Sequence, residues 1–140
     1  MEPKATVILI LLSSVLFAGC LSGKTNIPVT DTVFDVKPAE LAVKSGETSQ
    51  VLIRVTNNGK FAIHPVVRFN LNVSDKLYVT FNPESYDIGN LRPGEDSGFR
   101  IVDVKANLAA GKEIKYQARA QVIYDGRVLE SKDIIITVTR

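Results

Sequence analysis

The sequence predicts an all-β fold: an antiparallel sandwich of two sheets, with seven or eight strands, behind a short apolar N-terminal leader. Three observations predict it. Apolar and polar residues alternate with a period of two in several runs beyond position 50. Turn-forming residues interrupt these runs at roughly ten-residue spacing. No segment holds a helical period over three turns. A single sheet of this pattern would leave an apolar face in water, so two faces must close on each other.

The leader comes first. Met1 to Cys20 reads MEPKATVILILLSSVLFAGC, a polar start with Lys4 followed by an apolar run from Ala5 to Ala18. Fourteen residues are short for a membrane span and suit a signal-peptide core. The run closes on Leu16-Phe17-Ala18-Gly19-Cys20, with small residues before the chain's one thiol. This stretch resembles the lipobox of bacterial and archaeal lipoproteins. The resemblance implies cleavage before Cys20 and a lipid carried on its sulfur, although Phe17 stands where Leu is usual. The division expected is residues 1–19 as signal peptide, 20–31 as lipidated tether and 32–140 as sandwich domain. An alternative is an uncleaved anchor, because Ala5 to Gly23 is a 19-residue stretch without a charge. Either way the chain beyond about residue 24 would lie outside the cell, held at the extracellular face of the cytoplasmic membrane.

The strands follow. Val51, Ile53 and Val55 alternate with Gln50, Arg54 and Thr56. Val67, Phe69, Leu71 and Val73 alternate with polar residues, and Leu77, Val79 and Phe81 continue the pattern. Phe99 and Ile101 share one parity, whereas Val102, Val104 and Ala106 take the other, which predicts a bulge near Ile101-Val102. From Lys112 to Tyr124, Ile114, Tyr116, Ala118, Ala120, Val122 and Tyr124 face one way while Glu113, Lys115, Gln117, Arg119 and Gln121 face the other, with only Ile123 breaking the polar side. Ile134, Ile136 and Val138 end the chain's pattern. A two-residue Asp125-Gly126 turn extended without interruption would bury Asp133 and expose Ile134. The sequence therefore predicts either a three-residue Tyr124-Asp125-Gly126 loop or a bulge before Ile134.

The turns carry a resemblance. Ser45-Gly46-Glu47, Val55-Thr56-Asn57-Asn58-Gly59, Asn82-Pro83, Ile88-Gly89-Asn90-Leu91-Arg92-Pro93-Gly94-Glu95 and Tyr124-Asp125-Gly126 look like the CARDB-type and related Ig-like modules of prokaryotic cell-surface proteins. The likeness spans about residues 40–140 and implies an Ig-like sandwich acting as an accessory or adhesive module, archaeal in type. The motifs also have their own physical reading. Pro93 presets φ and Gly94 supplies a positive one, as a type II turn needs. Asn57-Asn58-Gly59 ends a strand where left-handed residues are expected.

Composition limits the chemistry. One Cys excludes an internal disulfide, and one Cys with one His excludes a Cys/His zinc cluster. Seventeen basic against 15 acidic residues leave too little excess for nucleic-acid binding to be expected. His64 lacks a nucleophile motif around it. Glu95, Asp96 and Asp125 lack calcium-loop spacing. No catalytic residue, metal or cofactor is expected, and the protein is read as a binding module rather than an enzyme. Asn72-Val73-Ser74 is the only glycosylation sequon. Outward-pointing Ile123, Leu129 and Ile135, with Val66 on a neighbouring strand, are the candidate docking patch. The expected partners are the membrane, through lipid or anchor, and a surface-layer or membrane-complex protein. A structural envelope spacer, or a stator-like protein with an uncleaved anchor touching the surface layer, is the competing reading.

Overall fold

A computed structural model describes residues 31–107 and 113–140, and these residues form two sheets packed face to face. The strands are β1 (Thr32–Lys37), β2 (Glu40–Lys44), β3 (Thr48–Asn57), β4 (Val66–Asn70), β5 (Val79–Asn82), β6 (Ser85–Asp87), β7 (Arg100–Ala106), β8 (Ile114–Tyr124) and β9 (Arg127–Thr139). One sheet has the order β1-β3-β7-β5 and the other β2-β9-β8-β4-β6. The described residues thus hold nine strands, more than the alternation announces, because β1 and β2 are two halves of one run and β6 is only three residues long.

The first run changes sheets at Lys37-Pro38-Ala39. Inward directions are opposite in the two sheets, so the buried parity must reverse. Thr32 and Phe34 are buried in β1, and Leu41 and Val43 in β2. β2 then runs parallel to β9, from Glu40 against Ile135 to Lys44 against Thr139, which corrects the expectation of a wholly antiparallel sandwich. The direction follows from continuity: a strand that switches sheets by a bend keeps its heading.

Between the sheets lies the core. Val51, Ile53 and Val55 of β3 and Val102 and Val104 of β7 meet Val67 and Phe69 of β4, Ala118, Ala120 and Val122 of β8, and Ile134 and Ile136 of β9. Phe69 and Phe81 stack across the gap with ring centroids 4.6 Å apart. Such a stack adds about 0.5–1.5 kcal/mol to the burial of either ring.

The final hairpin resolves the register question. Asp125 (φ 51°) and Gly126 (φ 71°) are both left-handed, the requirement of a tight two-residue turn. Tyr124 pairs with Arg127 and Ile123 with Val128; then the register shifts by one, so that Val122 meets Glu130 and Tyr116 meets Ile136. The expected three-residue loop is therefore not formed, and the bulge before Ile134 is. The extra residue is Leu129, and it restores Ile134, Ile136 and Val138 to the core.

Three other expectations are corrected. Val73 (86% exposed) and Leu77 (71% exposed) leave the sheet, because the chain turns through a 3-10 turn at Asp75–Leu77 after β4. No bulge occurs at Ile101-Val102: Leu52 pairs with Ile101 and Val51 with Val102 in unbroken register. Phe99 and Ile101 simply face outward. At Asn57-Asn58-Gly59 no residue takes a positive φ. Instead Asn57 is fully buried, donating to the carbonyls of Phe61 (2.8 Å) and Leu91 (3.0 Å) and accepting from Gly59 N–H (3.0 Å). Its backbone carbonyl accepts from Gly94 at 2.6 Å, within the Arg92-Pro93-Gly94-Glu95 turn. There the positive φ of Gly94 and the Glu95 N–H to Arg92 carbonyl bond (3.0 Å) match the expected turn.

Candidate interaction surfaces

The candidate docking residues sit on or near the outside of the five-stranded sheet. Val66 of β4 pairs directly with Ile123 of β8, and Ile123 with Val128 of β9, forming one transverse apolar row. Val128 is 53% exposed and was not singled out from the alternation. Leu129, displaced by the bulge, packs against the core. Ile135 lies opposite Gln117, six positions along β8 from Ile123. The structure thus brings Val66 and Ile123 together and adds Val128, while Leu129 turns inward and Ile135 stands apart.

Along β4 and β8 the rest of that face is polar. Asn70 donates to Gln121 (2.7 Å), Arg119 pairs with Asp133 (3.1 Å), and with Gln117 and Asn72 they line an open cleft of about 450 Å³. Exposed ion pairs of this kind contribute about 0–1 kcal/mol.

A second apolar surface lies on the opposite side of the molecule. On the outer face of the four-stranded sheet, Lys37 pairs with Leu52 and Leu52 with Ile101, so three strands contribute to one row. Ile101 is 55% exposed, Phe99 44% and Val33 41%. Two cations cover the Phe99 ring, Arg54 at 4.6 Å and Lys37 at 5.5 Å from its centroid. Arg54 also donates from Nε (3.0 Å) and Nη2 (2.7 Å) to Asp35 on the adjacent strand. Sequence reasoning missed this cluster because it read the parity change between Ile101 and Val102 as a bulge. The parity shared by Phe99 with Ile101, and by Leu52 with Arg54, was the available signal.

The polar residues weighed for chemistry serve loop structure. His64 Nε2 lies 2.6 Å from Asp87 and Nδ1 lies 3.1 Å from Asn90, tying the loop before β4 to the end of β6 and the loop after it. The Asp87 carboxyl also accepts from Gly89 N–H (2.9 Å); this bond, then the His64 contact, holds its pKa below the usual carboxylate range. Glu95 accepts from the Arg92 N–H (2.8 Å) and Asp96 from the Gly98 N–H (2.7 Å), and Asp125 occupies the hairpin turn. Around His64, Asn90, Arg92, Glu95 and Tyr124 the surface forms an open cleft of about 520 Å³. Among the described residues, no three His, Cys, Asp or Glu side chains are placed to hold a metal ion.

Asn72 is exposed, and its carbonyl accepts from Asp75 and Lys76 at the start of the 3-10 turn. Cys20, the leader and the tether lie outside the described residues. No helix among the described residues is long and apolar enough to cross a membrane.

No family model matches the chain, and no curated protein matches it. Solved structures do. Domains 4 and 5 of the S-layer protein SbsC align with a TM-score of 0.52 at 10% identity, over 81% of this chain and 54% of that one. Alpha-2-macroglobulin from Escherichia coli, from domain MG7 to the C-terminus, aligns with a TM-score of 0.57 at 16% identity, over 79% of this chain and 17% of that one. The CARDB domain of the PF1109 protein from Pyrococcus furiosus aligns with a TM-score of 0.48 at 19% identity, over 83% of this chain and all of that one. The chain spans about half of the first of these and about a sixth of the second. At these identities the likeness is one of fold: an Ig-like β-sandwich.

Proposed function

We propose that the protein is a lipid-anchored accessory module on the outer side of a prokaryotic cytoplasmic membrane, and that it acts by binding rather than by catalysis. The observation that carries this reading is the Leu16-Phe17-Ala18-Gly19-Cys20 segment behind a 14-residue apolar run, followed within a dozen residues by a β-sandwich. Two acyl chains on Cys20 would hold it stably where one chain is marginal. The sandwich architecture it shares with S-layer domains supports an envelope setting. Its partner is a protein of the surface layer or of a membrane complex, met through the Val66–Ile123–Val128 row. The exposed Asn72 is the position for a glycan.

Mass spectrometry of the mature N-terminus, with capture from native membranes, tests this. A first residue of lipid-modified Cys20 supports the reading. An intact Met1 on a membrane-bound chain favours the competing one, an uncleaved anchor or spacer, for which the 19 uncharged residues from Ala5 to Gly23 speak. Ile123→Glu and Val128→Glu should each lose the captured protein; unchanged capture would remove the row from the proposal.

A further inference from the structure

We infer that the outer face of the four-stranded sheet rests on the membrane surface, so that the sandwich lies on its side with the five-stranded sheet turned outward. The inference rests on the anchored reading above.

Three observations converge on it. First, this face carries apolar side chains at the surface: half-buried Leu52 and exposed Ile101 are cross-strand neighbours, Phe99 lies two residues before Ile101, and Val33 is further along the same face of β1, beyond the Asp35–Arg54 pair. Second, the cations sit with the ring rather than away from it, Arg54 and Lys37 both within 5.5 Å of the Phe99 centroid. An aromatic flanked by long basic side chains suits the headgroup boundary, where the ring meets acyl chains and the charged ends reach phosphates. The face also carries Asp35, which Arg54 engages, Asp103, which Gln50 engages, and Lys105. Its charge is therefore nearly balanced, and the apolar contact supplies most of the affinity.

Third, the chain enters the sandwich on the strand that edges this face. Residue 31 opens onto β1, which is the edge strand of the four-stranded sheet and carries Val33 and Lys37. Eleven residues from 21 to 31 extend at most about 35–40 Å. A patch too small to bind a bilayer alone is then presented to it at an effective concentration of about millimolar. The bilayer is the one surface that the tether keeps within reach at all times. The amide-rich face and the Val66–Ile123–Val128 row are on the opposite sheet, left open to an envelope protein.

The chain contains no Trp, so a single introduced indole is the only one present. The full-length lipidated protein is reconstituted into anionic phospholipid vesicles with brominated acyl chains, carrying either Phe99→Trp or, on the opposite face, Val128→Trp. An indole at the boundary lies roughly 5–10 Å deep, within reach of the bromines. The Phe99→Trp protein should lose about half its emission, and the Val128→Trp protein almost none. Ile101→Trp reports on the same face should Phe99→Trp fail to fold. Adding Leu52→Glu should abolish the quenching while the protein still floats with the vesicles. Floating protein with an unquenched Phe99→Trp, or equal quenching of both faces, overturns the orientation alone. So does an indole shielded only when envelope extract is added, which would assign the face to a protein partner. Protein that does not float overturns the anchor, and the orientation with it.

Discussion

On the four-stranded side of the sandwich, the outward positions of β3 and β7 hold Leu52 and Ile101, with Phe99 just ahead of β7. On the five-stranded side the outward positions of β8 hold Lys115, Gln117, Arg119 and Gln121. The same two-residue period built both faces. On the second, along Lys115 to Gln121, it separates inside from outside cleanly. On the first, around Phe99 to Val104, both parities carry apolar residues, and the pattern alone cannot say which set is buried. The opposing sheet decides: Val102 and Val104 are fully buried, while Ile101 stays outside. Phe99 can remain outside because Arg54 and Lys37 cover its ring, a pairing that contributes about 0.5–1 kcal/mol at an exposed site.

This contrast can be tested most sharply with two phenylalanines. Phe69, stacked in the core, should lose about 3–5 kcal/mol on replacement by Ala, whereas Phe99→Ala should lose no more than about 1 kcal/mol by urea unfolding. Comparable losses would mean that the outer face is covered by something else. Asn57→Ala should come next, at about 2–4 kcal/mol, because it strips partners from the buried Leu91 carbonyl and from the part-buried Phe61 carbonyl and Gly59 amide that the side chain joins. Ile101→Thr should change stability by only about 0.5 kcal/mol, as expected for a surface position. A large loss there would restore Ile101 to the core and break the comparison.

The smallest effect concerns acid. Asp87 is held below the usual carboxylate range chiefly by the Gly89 N–H and next by His64. A carboxylate depressed in the folded state stabilises the fold above its ordinary range, and that contribution disappears as pH falls through the folded value. In an NMR titration, His64→Ala should raise the Asp87 pKa only part of the way, because the Gly89 bond remains. A full return to the ordinary value would give His64 the leading part.

Much of this molecule was legible in its residues. The buried positions of β3, β8 and the end of β9 follow from alternation, and the Pro93-Gly94 turn from its two residue types. The parallel β2 was not legible, because a sheet change at Pro38 shifts the parity and imitates an interrupted pattern. The hairpin needed an extra residue, and that residue could stand in the turn or in the strand. Turn chemistry decided for the strand, which moved Leu129 out of the apolar row beside Ile123 and brought Val128 in. Val73 and Leu77 misled because apolar residues near a 3-10 turn can keep a strand's spacing without a strand's surroundings. The Phe99 cluster depended on contacts between β1, β3 and the approach to β7, which no single run of sequence contains.

The parallel pairing of β2 with β9 has a mechanical consequence. Pulling residue 31 away from the end of β9 draws two neighbouring strands past each other lengthwise, so the rungs from Glu40–Ile135 to Lys44–Thr139 strain together instead of opening one by one. A domain wired this way resists a pull between residue 31 and the end of β9 better than its modest size suggests.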